Sequence, residues 1–210
     1  MNSIQYYLVD VFTDTKYGGN QLAVFVDYEN KVSDSEMLAI ARELNFSEIT
    51  FVKNNFNDEK FNVRIFTPEY EVPFAGHPSL GTAFVISKYL ISKPKKQITL
   101  ALKYADIQIQ LDDLKVLENC QFKMKQAQPI FYKTYYHKEI ATALDLDSAL
   151  FDTSKLIEEV TTGLPYIIVP FVSIEAINSI ALKAAPFEDF LLENKLHKTN
   201  NPSGLSTSFF

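Results

Sequence analysis

Cysteine is nearly absent: Cys120 is the single thiol in 210 residues. One thiol excludes an intrachain disulfide and the thiol pair of a two-cysteine racemase, and it points to a reducing compartment. Arginine is almost as scarce, with only Arg42 and Arg64, and 20 basic against 26 acidic side chains leave a net charge of −6. A surface that tracks nucleic-acid phosphates has little to build on, and the lysines of residues 93–96 read as a solvated turn. The three histidines, His77, His137 and His197, stand far apart in the sequence, so no metal-ligand spacing is present. Long apolar runs are missing too: residues 166–172 form the longest, interrupted by Pro170, whereas a membrane-spanning helix needs about 18 or more apolar residues. The first residues lack the basic and apolar regions of a signal peptide, and the expectation is a cytoplasmic protein that does not span a membrane.

What is present is the composition of a globular protein, 47% hydrophobic and 22% charged. At about 100–200 residues per domain, the length suits one large or two small domains. Residues 4–12 are rich in Ile, Tyr, Leu, Val and Phe and predict a strand, followed by a glycine-bearing loop over 13–20 and a return strand over 22–26. Ser33 with Glu36 forms a capping box ahead of Met37, Leu38, Ile40, Ala41 and Leu44, predicting an amphipathic helix that ends near Asn45. Strands are expected over 49–52, 61–66, 97–102, 105–111 and 121–125. Residues 78–90, with Pro78 near the start, are apolar almost all round through Leu80, Ala83, Phe84, Val85, Ile86 and Leu90, which predicts a buried helix with a bent sheet around it. The pattern resets near residues 126–129. A helix over 136–144, a strand over 166–169 and a helix over 174–182 then begin a second unit, giving expected domains of 1–127 and 128–210.

Two residues stand where chemistry is possible. Glu48 lies just beyond a helix at the mouth of an apolar strand. A carboxylate so placed is partly desolvated, and desolvation favours the neutral acid, as a group that must take and return a proton requires. An exposed strand-start glutamate is the plainer alternative, and position alone favours it. His77 follows Gly76 at the start of the buried helix, where backbone N–H groups and the helix dipole suit an anion or enolate. A histidine bonded locally fits the spacing equally well. Residues 76–81 are one residue too long for a G-x-S-x-G elbow, so Ser79 reads as an early helix residue. Gly18-Gly19-Asn20 is too short for a dinucleotide loop and reads as a flexible turn.

Five segments together carry a family likeness: Val9-Asp-Val-Phe-Thr13, Gly19-Asn-Gln-Leu-Ala-Val24, Ile40-Ala-Arg-Glu-Leu-Asn-Phe-Ser-Glu48, Arg64-Ile-Phe-Thr-Pro68 and Phe74-Ala-Gly-His-Pro-Ser-Leu-Gly81. In order and spacing they resemble the PhzF-like family, the phenazine-biosynthesis F proteins and their relatives. The likeness is specific to about residue 91 and weaker beyond, where Val160-Thr-Thr-Gly-Leu-Pro-Tyr-Ile-Ile-Val-Pro170 is similar to a second-domain strand. It implies an α+β fold of the diaminopimelate-epimerase-like kind: a curved mixed sheet around a central buried helix, in two similar domains with the active site in the cleft between them. It also implies isomerase chemistry without cofactor or metal, in which a glutamate moves a proton on a small acidic substrate, unsaturated or amino-bearing. Glu48 takes the glutamate's place, Gly76 and His77 fall on the substrate-contacting pair, and Asn20 and Ser47 are the further substrate-binding candidates.

The chain departs from the family in its second half. The Asp-Pro-Ala-Thr-Gly-Ser-like motif that supplies a second carboxylate there is not found, and the expectation is a second domain left incomplete. Two readings follow: an isomerase, or a truncated, non-catalytic family member that acts as a binding or self-associating module. Uncovered apolar sheet predicts a homodimer in either case.

Overall fold

The computed structural model describes residues 3–56, 59–114, 120–162, 165–181 and 190. The chain divides into two compact units, Met1–Lys125 and Gln126–Phe210.

In the first unit β1 (Gln5–Val11) and β2 (Asn20–Val26) form an antiparallel hairpin that sets Val11 opposite Asn20. Helix α1 (Asp34–Leu44) starts on the Ser33–Glu36 capping box and stops at Asn45, which is left-handed at φ 52° and returns its N–H to Ala41. It leads into β3 (Glu48–Phe56), which lies parallel to β2 with Glu48 level with Leu22. Strands β4 (Lys60–Phe66) and the short β5 (Glu71–Val72) follow, then α2 (Gly76–Val85), β6 (Gln97–Ala101), β7 (Asp106–Leu111) and β8 (Phe122–Met124). The sheet order is β1-β2-β3-β4-β6-β7-β8, with β5 paired to β4.

Burial on both faces explains the sequence of the central strands. Leu22 and Val24 of β2 and Val52 of β3 face the cluster that includes Ala83, Val85 and Ile86 of the α2 segment. The alternate residues Ala23, Phe25, Ile49 and Phe51 pack with Met37 and Ala41 of α1. A strand covered on each side reads as a continuous apolar run rather than an alternation. Gly81 permits a close approach of α2 to the sheet: a Cβ there would lie 2.6 Å from Leu22 Cδ2 and 2.7 Å from Val11 Cγ2.

Helix α2 departs from the expected form in three ways. It begins at Gly76, because Pro78 sits in a first turn whose N–H groups have no intrahelical partner, and its continuation Ile86–Leu90 widens into a π-turn closed by the Ile91 N–H on the Ile86 carbonyl. Nor is it buried all round: Leu80, Phe84 and Leu90 are only partly covered and Tyr89 is 48% exposed. The outer strands β1 and β8 leave a groove of about 1070 Å³ over that side, lined by Leu8, Val9, Leu80, Phe84, Tyr89 and Phe122 among others.

The second unit contains β9 (Ile130–Tyr135), α3 (His137–Leu144), a 3₁₀ turn (Ser148–Leu150), β10 (Ile157–Thr161), β11 (Pro165–Ile168) and α4 (Ile174–Asn178). The strands form an antiparallel sheet in the order β11-β10-β9, and Tyr135, Ile140, Leu144, Phe151, Ile157 and Ile167 are among its core residues. Strand β9 escapes sequence reading because five of its six residues are exposed, so no alternation is visible. Helix α4 stops before the expected end: the Ser179 hydroxyl bonds the Ala176 carbonyl at 2.7 Å. Leu182, His197 and the tail from Lys195 lie outside the described residues.

Candidate functional site

Three element starts converge in the first unit: Asn20 opens β2, Glu48 opens β3, and Gly76 and His77 open α2. The parallel pairing of β2 and β3 brings the first two to one edge of the sheet. His77 Nδ1 lies 3.3 Å from Asn20 Nδ2 and 3.4 Å from Glu48 Oε2. The Ser47 hydroxyl donates to Asn20 Oδ1 at 3.1 Å. All five residues named from the sequence therefore fall in one neighbourhood, four of them joined by side-chain contacts.

The cluster is graded from buried to wet. The His77 side chain is 8% exposed and that of Glu48 21%, while Asn20 and Ser47 are exposed, so the carboxylate is within reach from solvent. Burial holds the His77 imidazole below its ordinary pKa, against the opposing pulls of the Glu48 charge and the Gln21 backbone. At neutral pH the ring is uncharged. Its Nδ1 can then donate towards the carboxylate or accept from the Asn20 carboxamide, but not both, because neutral Nδ1 carries either a proton or a lone pair. Among the described residues its buried Nε2 has no hydrogen-bond partner.

The start of α2 adds backbone donors. The N-cap, Ala75, makes no side-chain cap, and the first turn holds no acidic residue. Its N–H groups and dipole favour an anion there. A Cβ on Gly76 would meet nothing nearer than Met124 Cε at 3.8 Å, so packing does not require glycine at this position. Ser79 is fully buried and its hydroxyl donates to the Ala75 carbonyl at 2.7 Å, a helix contact. Arg64 grips both Glu71 oxygens, at 2.8 and 3.0 Å, and also Asp34, tying α1 to β4 and β5. Among the described residues no group of three or more His, Cys, Asp or Glu is placed to hold a metal ion.

Sequence reasoning missed Thr50 and Thr82. Both are fully buried and their hydroxyls meet at 2.8 Å, joining β3 to α2 beneath Glu48 and His77. The available signal was two hydroxyl residues within otherwise apolar segments.

The family model for phenazine biosynthesis-like proteins matches residues 9–208, and the chain belongs to that family. It is 33% identical over 178 residues to trans-2,3-dihydro-3-hydroxyanthranilate isomerase of Pseudomonas aeruginosa, covering 84% of this chain and 60% of that enzyme. Among solved structures, a Bacillus anthracis phenazine biosynthesis protein of the PhzF family is similar at TM-score 0.79 and 26% identity, over 92% of this chain and 64% of the other. A predicted epimerase from Pseudomonas aeruginosa is similar at TM-score 0.77 and 29% identity, over 89% of this chain and 66% of the other. The chain thus spans 60 to 66% of the length of these relatives. Its fold is the α+β, epimerase-like one, with a curved mixed sheet wrapped on α2.

Proposed function

We propose that this chain is a cofactor-independent isomerase, in which Glu48 takes a proton from one carbon of a small acidic substrate and returns it to another. The observation that carries this reading is the contact of Glu48 Oε2 with His77 Nδ1 at 3.4 Å beside the uncapped start of α2. A proton leaving carbon deposits negative charge on the adjoining conjugated carboxylate. Backbone N–H groups at Gly76 and His77 are placed to receive it, at a terminus whose dipole has the right sign. Asn20 and Ser47, on the exposed rim, hold the substrate's polar groups.

The relative named trans-2,3-dihydro-3-hydroxyanthranilate isomerase makes that compound the first substrate to test. Its conversion, followed by NMR with the 210-residue chain and with its Glu48→Gln variant, decides the matter. Turnover that the substitution removes supports the reading, and equal turnover overturns it. In this reading the protein is a cytoplasmic homodimer. The support for association is β9, which among the described residues forms an outer edge of its sheet and exposes Ile130 and Phe131. Light scattering that finds only monomer at micromolar concentration contradicts the dimer.

A further inference from the structure

Among the described residues, two polar side-chain contacts join β3 to α2 on the side that carries the candidate site. One is Glu48 to His77 at 3.4 Å, and the other is Thr50 to Thr82 at 2.8 Å, with both hydroxyls fully buried. We propose that the Thr50–Thr82 hydroxyl pair is a positioning device that sets the separation of the Glu48 carboxylate from the His77 imidazole. This inference rests on the roles proposed for those two residues.

Strand alternation gives Glu48, Thr50 and Val52 one direction: Val52 packs in the cluster around α2, while Ile49 and Phe51 pack towards α1. From Thr50 to Glu48 is two residues, roughly 6.6 Å along a strand. From Thr82 to His77 is five residues, roughly 7.5 Å along a helix. The two rises are nearly equal, and both pairs are in contact in the same structure, at 3.4 Å and 2.8 Å. A helix packed on a sheet by apolar contacts alone can slide and rotate by fractions of an ångström at little cost, because those contacts have no direction. A hydrogen bond of fixed length removes that freedom.

Stability alone does not call for hydroxyls here. Replacing both members of a buried hydrogen-bonded pair by apolar groups of the same shape is close to neutral, and valine is that shape for threonine. The separation of the catalytic pair is therefore what the hydroxyls add. Neither Thr50 nor Thr82 is assigned a contact with substrate, so they are positioning residues.

The test is a coupling measurement on the ligand-free protein. The His77 ring is titrated by NMR in four forms: wild type, Glu48→Gln, Thr50→Val with Thr82→Val, and all three together. In wild type, Glu48→Gln lowers the His77 pKa, because the carboxylate's pull is upward. In the double-valine background that shift is expected to shrink by about half or more as the pair separates and water enters between its members. Thr50→Ser, which keeps the hydroxyl, retains the wild-type shift. If the double-valine protein is poorly folded, Thr50→Val alone is compared with Thr50→Ser in the same way. An undiminished shift in the folded valine variants overturns the proposal, as does a loss of the shift in Thr50→Ser equal to that in Thr50→Val. Because no turnover is read, the outcome is separate from the activity test of Glu48.

Discussion

The Glu48 carboxylate and the His77 imidazole meet at 3.4 Å because the first residue of a strand lies level with the first turn of the helix the sheet encloses. Parallel pairing of β2 with β3 adds Asn20 to the same edge. The candidate site is thus built from the starts of regular elements, which hold side chains more closely than loops do.

His77 links the site to stability. Its folded-state pKa lies below the ordinary value of 6.5, chiefly through burial, so on acidification the unfolded chain takes up this proton first. Stability from this source is complete above the unfolded value and is lost as pH falls towards the folded one. Thermal unfolding midpoints measured from about pH 7.5 down to pH 5 should decline in wild type. They should decline less in His77→Gln, and equal slopes would contradict the assignment. Asp27 and Glu71 titrate below their ordinary carboxyl values, so their contributions are lost at lower pH.

Gly76→Ala should leave stability unchanged, since the nearest atom to the added methyl is 3.8 Å away. In the proposed function the methyl would stand where the substrate approaches the backbone. Binding of small carboxylic acids, followed by calorimetry, should weaken about tenfold or more, equivalent to roughly 1.4 kcal/mol. Unchanged affinity would remove Gly76 from the site.

Gly81→Ala should do the reverse. The added methyl would meet Leu22 and Val11 at under 3 Å and push α2 off the hairpin. Urea unfolding should show a loss of about 1–3 kcal/mol, the usual cost of overpacking. A neutral result would mean that the helix sits further from β1 and β2.

A buried ion pair supports the end of the hairpin. Lys53 Nζ lies 2.5 Å from Asp27, whose carboxylate also accepts the N–H groups of Lys31 and Val32. The Lys53 and Asp27 side chains are 9% and 2% exposed, so Asp27→Ala strands a buried ammonium. The expected loss is about 3–5 kcal/mol by urea unfolding, and a loss below about 1 kcal/mol would place the pair in solvent.

Local signals in the sequence account for α1, with its capping box and left-handed Asn45, and for the central helix, with its apolar run. They fail for β9, whose exposed residues show no period, and for the uncovered side of α2. Leu80 and Phe84 are apolar whether a sheet covers them or a groove leaves them open, and the composition of a helix cannot distinguish the two. Glu48 and His77 are recognisable as residues at element starts, but only tertiary pairing brings them together. The Thr50–Thr82 bond is a contact between segments remote in sequence, and no local pattern encodes it.

The central claim is that Glu48 moves the proton. Incubation of trans-2,3-dihydro-3-hydroxyanthranilate in D₂O with wild type and with Glu48→Gln, followed by mass and NMR analysis of the recovered compounds, tests it directly. Wild type should give isomerised product, with solvent deuterium at the receiving carbon only to the extent that the proton held by Glu48 exchanges with D₂O before it is returned. Glu48→Gln, folded as judged by circular dichroism, should be slower by about 10²–10⁴-fold, the usual contribution of one placed acid/base. Equal rates in the two proteins, or no conversion by either, would contradict the account.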